Sequence, residues 1–431
     1  MTTLQIINLA IMLAFFLCYS YQFFYIPVAW FKKDAPHREP SPHRIAVLIA
    51  ARNEQSVIGN LIDSVKAQDY PTELVDVFVV ADNCTDLTGS VAGAHGANVY
   101  FRNDQTQVGK GYALQYLLHC IEEDFAPYDG YLVLDADNVL SPNYITEINK
   151  TFSDGYQIVT SYRNSKNYGD NWISAGYALW FLRESRYLNG ARCRLGSSCA
   201  VSGTGILVSP RRGGSGAGGG TGFLFSRRIL EKCGGWNFFL LTEDIQFTIA
   251  NVIRGEKVGY CPTAVLYDEQ PTTFRQSFRQ RLRWSRGYLQ VFGKYGVSLF
   301  RGIFRGSFSC YDMTMNIMPA AVLSGASIAV NLGAAVYNCL NGGDWSVLAA
   351  CLLQGFLSLY LTVFVLGVIT TITEWDNIYC SATKKVFYAI TFPVFMFTYI
   401  PIVIVSLFHN PAWQPIHHSR SVDLQQICAG K

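Results

Sequence analysis

GYLVLDADN, residues 130–138, is a short apolar run that breaks into two carboxylates around one small residue. A continuous run of this length is that of a strand buried on both faces of a sheet. Asp135 and Asp137 then stand at its carboxyl end. The same form occurs twice upstream: IAVLIA at 45–50 leads into Arg52, Asn53 and Glu54, and VDVFVVAD at 75–82 ends in Asp82 and Asn83. ANVYF at 97–101 adds a further strand. Between them, residues 54–68 and 108–123 carry apolar side chains at helical spacing. Strands alternating with helices predict a doubly wound α/β domain. In such sheets ligands bind outside the carboxyl ends of the strands, so these polar residues are expected to share one crevice.

Composition frames that domain. The chain has 431 residues, of which 50% are hydrophobic and 14% aromatic, with a formal charge of +3. This is too apolar for an ordinary soluble enzyme and too evenly charged for a nucleic-acid-binding surface. Twelve cysteines lie scattered without a Cys-x-x-Cys pair, which points to reduced thiols and away from a zinc site or a disulfide framework. Residues 3–30 carry no charge over a length that spans a bilayer, and no small-residue cleavage site ends the run, so an anchor is expected over 1–31. Three further hydrophobic segments, at about 314–339, 346–372 and 386–408, define a membrane region at 313–410 and leave a tail at 411–431. Lys32 and Lys33 after the first span, and Lys384 and Lys385 after the third, place the middle of the chain in the cytosol by the positive-inside bias. Pro393 and Pro401 mark the last segment as a candidate broken or re-entrant helix, which leaves the side of the C-terminus open.

Several stretches carry chemistry. The Asp135-x-Asp137 pair is either an acidic strand-to-loop turn or a site where Mg²⁺ or Mn²⁺ meets substrate phosphates. Thr242-Glu243-Asp244 opens a helix, with Thr242 as the expected N-cap. Its acids either complement the helix dipole or supply a general base, for which Asp244 is the candidate. Lys110 in QVGKGYAL sits at a helix start within reach of a diphosphate, although the Walker pattern is incomplete. QSFRQRLRWSRGYLQ, residues 276–290, surrounds Trp284 with Arg279, Arg281, Arg283 and Arg286; residues 296–312 beyond it suit an interfacial helix.

The ordered set of strand-end acids, Asp-x-Asp, Thr-Glu-Asp and Gln280-x-x-Arg283-Trp284 resembles the membrane-integrated, inverting family 2 glycosyltransferases. Relatives in that family make cellulose, chitin oligosaccharides, hyaluronan and poly-N-acetylglucosamine. The resemblance covers nearly the whole chain and implies a GT-A catalytic domain over 42–295 that uses a UDP-sugar and Mg²⁺ or Mn²⁺. It implies that Glu54 and Asp82 contact the uridine, that Lys110 lies by the diphosphate, that Asp135 binds the nucleotide side and Asp137 the metal, and that Asp244 is the base. Arg283 would neutralise the leaving diphosphate, and Trp284 would offer its face to an acceptor sugar, beside Glu243 and Gln280. The expected partners are a UDP-sugar, a saccharide or lipid-linked acceptor and membrane lipid, with room for an accessory membrane or export subunit and no nucleic acid. Alternatives are addition of one sugar to a lipid or short acceptor, or a non-catalytic nucleotide-sugar-binding membrane protein.

One departure from the family pattern stands out. GTGILVS at 203–209 and GTGFLFS at 220–226 repeat at a 17-residue spacing, joined by the glycine-rich PRRGGSGAGG. Ser202, Gly203 and Thr204 therefore compete with Gly220 and Thr221 for the acceptor wall, and the effect of the insertion at 206–222 is undetermined by sequence.

Overall fold

The computed structural model describes residues 3–201, 221–342, 345–409 and 422–428. Its centre is one sheet of eight strands: β1 (Ile45–Ala51), β2 (Val75–Asp82), β3 (Asn98–Arg102), β4 (Gly130–Asp135), β5 (Val139–Leu140), β6 (Ile158–Ser165), β7 (Phe223–Ser226) and β8 (Val258–Asp268). Their spatial order is β3-β2-β1-β4-β7-β6-β8-β5. β1 pairs in parallel with β2 and β4, and β2 with β3. β7 runs antiparallel to both β4 and β6, and β6 pairs in parallel with β8, so β4, β6 and β8 all point the same way. The carboxyl ends of β1, β2, β4, β6 and β8 form the edge where the polar residues collect.

The central strands β1 and β4 are apolar up to their ends because both faces are covered. Side chains alternate across the pleat. Ala46 and Leu48 of β1 pack on one side with Leu114, Leu117 and Leu118 of the helix Lys110–Asp124. Val47 and Ile49 pack on the other with Leu61 and Ile62 of the helix Ile58–Lys66. Two cores thus sandwich the sheet, as the strand–helix alternation predicts.

Among the described residues three helical stretches are long and apolar enough to cross a membrane: Ile6–Phe31, Phe356–Thr373 and Ala382–Phe408. Ala329–Leu340 is a shorter apolar stretch within the helix Pro319–Leu340. The N-terminal stretch is two helices, Thr3–Tyr19 and Tyr21–Phe31. The last stretch divides at Thr398 into Ala382–Phe397 and Tyr399–Phe408, close to the two prolines. The region read as a separate interfacial helix at 296–312 is different in form: one helix runs unbroken from Phe274 to Phe304 and a second from Phe308 to Ile317. Nothing in residues 291–304 stops the helix that carries the arginines, and Gly306, with φ +82°, is where the backbone turns. Most of the tail at 411–431, and residues 202–220, lie outside the described residues.

Candidate active site

The carboxyl ends of β1 and β2 turn sharply. Asn53 and Asn83 follow them with φ of 58° and 53°, left-handed conformations that asparagine tolerates better than most side chains. Each is held by its own amide. Asn53 Oδ1 accepts from the Thr85 backbone N–H at 2.8 Å, and Asn83 Nδ2 donates to the Asp104 carbonyl at 3.0 Å. These turns leave Glu54 and Asp82 buried at the sheet edge. Asp82 is paired with Arg102, which sits opposite it in the β2–β3 register, at 2.7 Å. Burial pushes the Asp82 carboxyl up, against the pull of Arg102.

The turn after β4 is built by neighbours on two sides. The Asp135 N–H donates to Asn138 Oδ1 at 3.0 Å and to Thr221 Oγ1 at 2.9 Å, and the Thr221 hydroxyl donates to Asn138. Thr221 belongs to the second Gly-Thr-Gly copy; the competing Ser202, Gly203 and Thr204, like Gly220, lie outside the described residues. The chain then enters β5, which pairs with the end of β8. That pairing brings Asp137 beside β8's end, where its Oδ2 accepts the Glu269 N–H at 2.9 Å.

Lys110 joins two of the acidic motifs. It is buried at the start of its helix, with Nζ 2.6 Å from Asp135 Oδ1 and 4.0 Å from Glu243 Oε1. Burial alone would lower the ammonium's pKa, but Asp135, Glu243 and Asp244 outweigh it and hold Lys110 above its ordinary value. Gly111 is small because a Cβ there would come within 2.1 Å of the Phe238 carbonyl oxygen. The Lys110 backbone can therefore lie against the segment that leads into Thr242-Glu243-Asp244.

Asp244 and Glu243 occupy the first turn of the helix Glu243–Ile253, and Asp244 is 0% exposed. Thr242 holds the N-cap position as expected, yet its hydroxyl makes no capping bond. The reason is packing: the Thr242 side chain lies against Gly287 of the long helix, where an added Cβ would approach Thr242 Cγ2 to 2.5 Å. Gly287→Ala is expected to push these two segments apart, costing about 1–3 kcal/mol of stability and lowering turnover by displacing the acids. Thermal unfolding and turnover measured on the same preparation check this; unchanged values for both would show that the contact is not needed.

The arginine cluster divides between two environments. Arg283 is buried and faces the acids: desolvation lowers its pKa, and Glu243, Asp135 and Asp244 act against that fall. Arg281 points elsewhere. Its Nη1 donates to Thr398 Oγ1 at 2.7 Å and to the Phe395 carbonyl at 3.3 Å, at the break in the last apolar stretch, and its guanidinium lies over the rings of Phe395 and Tyr399. Arg286 donates to the Ser406 carbonyl at 3.3 Å. Two positions along a helix are about 200° apart around its axis, so Arg281 and Arg283 cannot share a face. Gln280 is half-buried one residue before Arg281.

Trp284 is not a platform for a sugar in this structure. It is 2% exposed, with Tyr177 packed edge-on at 5.7 Å and Phe181 at 6.2 Å between ring centroids. An indole enclosed by two aromatic rings presents no open face, and its contribution is to seat the long helix in the core.

Sequence reading stopped at β4 and missed the other half of the edge. Arg163 and Asp268 form a buried ion pair between β6 and β8. Burial raises the Asp268 carboxyl to about 6, with Asp137 and Asp135 adding to the rise and Arg163 opposing it. Lys166 follows β6 at the same edge. YDEQP at 267–271 carried the available signal, because it ends an apolar run in acids just as LDADN does.

Among the described residues no cluster of three or more His, Cys, Asp or Glu side chains could by itself hold a metal ion. A nucleotide-bound Mg²⁺ or Mn²⁺ takes one or two carboxylates and completes its shell with phosphate oxygens and water. Asp137 supplies oxygen ligands of the right kind at this edge.

A family model described as "Glycosyltransferase like family 2" matches residues 42–287. The chain is similar to a probable glycosyltransferase, YdaM, of Bacillus subtilis, 26% identical over 60% of this chain and 58% of that protein. It is also similar to the beta-monoglucosyldiacylglycerol synthase of Nostoc, 23% identical over 66% of this chain and 57% of that protein. Poly-beta-1,6-N-acetyl-D-glucosamine synthase of Staphylococcus epidermidis is 23% identical over 57% of this chain and 55% of its own length. The alignments thus span little more than half the length of these curated relatives. A mannosyltransferase from Pyrobaculum calidifontis, solved in complex with GDP-Man and Mn²⁺, superposes with a TM-score of 0.58 at 16% identity, over 93% of this chain and 98% of that one. The likeness is one of fold, and the fold is GT-A.

Proposed function

The chain belongs to glycosyltransferase family 2, and from that premise we propose that it transfers a sugar from a UDP-sugar to a saccharide or lipid-linked acceptor hydroxyl with inversion, forming a β-glycosidic bond at the cytoplasmic membrane. UDP-N-acetylglucosamine is the preferred donor and UDP-glucose the next. Relatives named for N-acetylglucosamine polymer synthesis and for glucosyl-lipid synthesis support both.

The observation that carries this reading is Lys110 lodged between Asp135 and Glu243, with Arg283 in the field of the same acids. It draws the Asp-x-Asp turn, the Thr-Glu-Asp helix and the Gln-x-x-Arg-Trp helix to one edge of the sheet. In the proposed reaction the Asp244 carboxylate takes the proton from the acceptor hydroxyl. The acceptor oxygen bonds to the anomeric carbon as the bond from that carbon to the diphosphate breaks, and UDP departs with the bonding pair. Arg283 and Lys110 lie where cations would stabilise the charge that develops on UDP. Glu54 and Asp82 face the nucleoside at the ends of β1 and β2. Mg²⁺ or Mn²⁺, held by Asp137 with Asp135 on the nucleotide side, supplies Lewis-acid neutralisation of the diphosphate when bound.

The catalytic domain lies on the cytosolic side in this reading, with Lys32 and Lys33 after the first span. The test is UDP release by detergent-purified protein across a panel of UDP-sugars with Mg²⁺ or Mn²⁺, followed by mass analysis of the product. Release with one donor, lost on chelation, is expected. A ladder of products marks a polymerising enzyme and a single addition a lipid- or oligosaccharide-modifying one. Absence of release from any UDP-sugar, with release from a GDP-sugar, would overturn the donor assignment.

A further inference from the structure

Lys166 is a buried cation for which the reaction above has no use. It follows β6 directly, and its backbone N–H donates to the Asp268 carbonyl at 2.8 Å, which fixes it at the carboxyl edge beside the end of β8. The residue is 7% exposed, and its Nζ finds no hydrogen-bond partner among the described residues. An ammonium carries three donors and no acceptor, and leaving it buried without a partner is costly. The surroundings show what kind of partner is absent. Burial lowers the Lys166 pKa, and the charges that oppose the fall belong to Asp137, Glu269, Asp268 and Glu54. Asp268 is already neutralised by Arg163, and Asp137 receives the Glu269 N–H. The ammonium therefore lies in the field of Asp137 of the Asp-x-Asp turn and of Glu54 beyond the β1 end, the two places between which the proposed reaction stretches a nucleoside diphosphate.

We propose that Lys166 is a donor-contact residue that takes a diphosphate oxygen of the nucleotide sugar, a third cation acting alongside Lys110 and Arg283. The assignment rests on the nucleotide-sugar reading of the site. An anionic oxygen is the ligand that best answers a desolvated ammonium, since a charge-assisted bond is about twice as strong as a neutral one. Lysine suits the position because it meets phosphate as a compact point charge.

The experiment compares wild type, Lys166→Met and Lys166→Arg by calorimetric titration with UDP and with uridine, each with and without Mg²⁺, and by thermal unfolding. Lys166→Met keeps the aliphatic stem and removes a buried charge that bonds to no other group, so its unfolding temperature is expected to equal or exceed that of wild type. Its affinity for UDP should fall about tenfold to hundredfold, the range of a lost charged hydrogen bond. Affinity for uridine should hold, and Lys166→Arg should recover part of the UDP binding. A lower unfolding temperature with unchanged UDP affinity would make Lys166 structural and overturn the assignment. Equal loss of uridine and UDP binding would move its contact to the nucleoside and overturn it as well. Failure of the wild type itself to bind UDP would sink the nucleotide-sugar reading together with this one, so the two failures are told apart by the wild-type titration.

Discussion

Asp244→Asn is expected to lower sugar transfer about 10²- to 10⁴-fold while leaving UDP affinity near that of wild type. The asparagine side chain has nearly the shape of the carboxylate it replaces, so the first turn of the helix Glu243–Ile253 should keep its form. What disappears is the ability to accept a proton from the acceptor hydroxyl. Asp244 is enclosed within the same charged group as Lys110 and Arg283, whose attractions hold its place. UDP release under saturating donor and acceptor reads the loss, and calorimetric titration with UDP reads the binding. Wild-type turnover in the variant would move the base elsewhere, with Glu243 as the neighbour to test next.

Asp312→Ala is expected to destabilise the protein by about 3–5 kcal/mol, the cost of leaving a buried charge without its partner. Asp312 and Arg192 are both fully buried and form a bidentate pair, Arg192 Nε to Asp312 Oδ2 at 2.6 Å and Nη2 to Oδ1 at 2.9 Å. The carboxylate also accepts from the Tyr21 hydroxyl at 2.7 Å and the Tyr25 hydroxyl at 2.9 Å. These four bonds join three parts of the chain: the second N-terminal helix, the helix Gly190–Leu195 of the catalytic domain, and the helix Phe308–Ile317. Removing the carboxylate leaves the guanidinium buried and also releases the second N-terminal helix. Thermal unfolding in detergent measures the loss, and limited proteolysis after residue 31 reports whether the N-terminal helices have come free. The double variant Arg192→Leu with Asp312→Leu separates the two causes, because a buried pair replaced by apolar side chains is often nearly neutral. An unfolding temperature for Asp312→Ala equal to that of wild type would show that solvent reaches Arg192 in solution.

The first half of the sheet was legible because its strands are short apolar runs ending in polar residues. VDVFVVAD is β2 residue for residue, and IAVLIA differs from β1 by one position. Legibility failed where pairing is not local. β7 is four residues long and β5 only two, too short for any periodicity, and both exist because β4 and β8 offer them edges. Sequence order places Asp137 131 residues before Asp268. Only the β5–β8 pairing makes them neighbours.

The arginine stretch at 276–290 draws the same line. By itself the sequence determined that a cluster of cations on a helix precedes the late apolar segments, that acids stand at strand ends, and that Asp-x-Asp, Thr-Glu-Asp and Gln-x-x-Arg-Trp occur in one order. Those are local properties, written in composition and spacing. Tertiary structure alone decided what each side chain does. Arg283 faces the acids while Arg281 braces the break at Thr398, because two positions on a helix point to nearly opposite sides. Trp284 went into the core because Tyr177 and Phe181 arrived from another helix to enclose it. Lys166, unremarkable in sequence, became a buried cation at the site because β6 and β8 pair in parallel and carry their ends to the edge where β4 ends. Spacing along the chain fixes which residues are present, and the direction in which each one points follows from the elements packed against it.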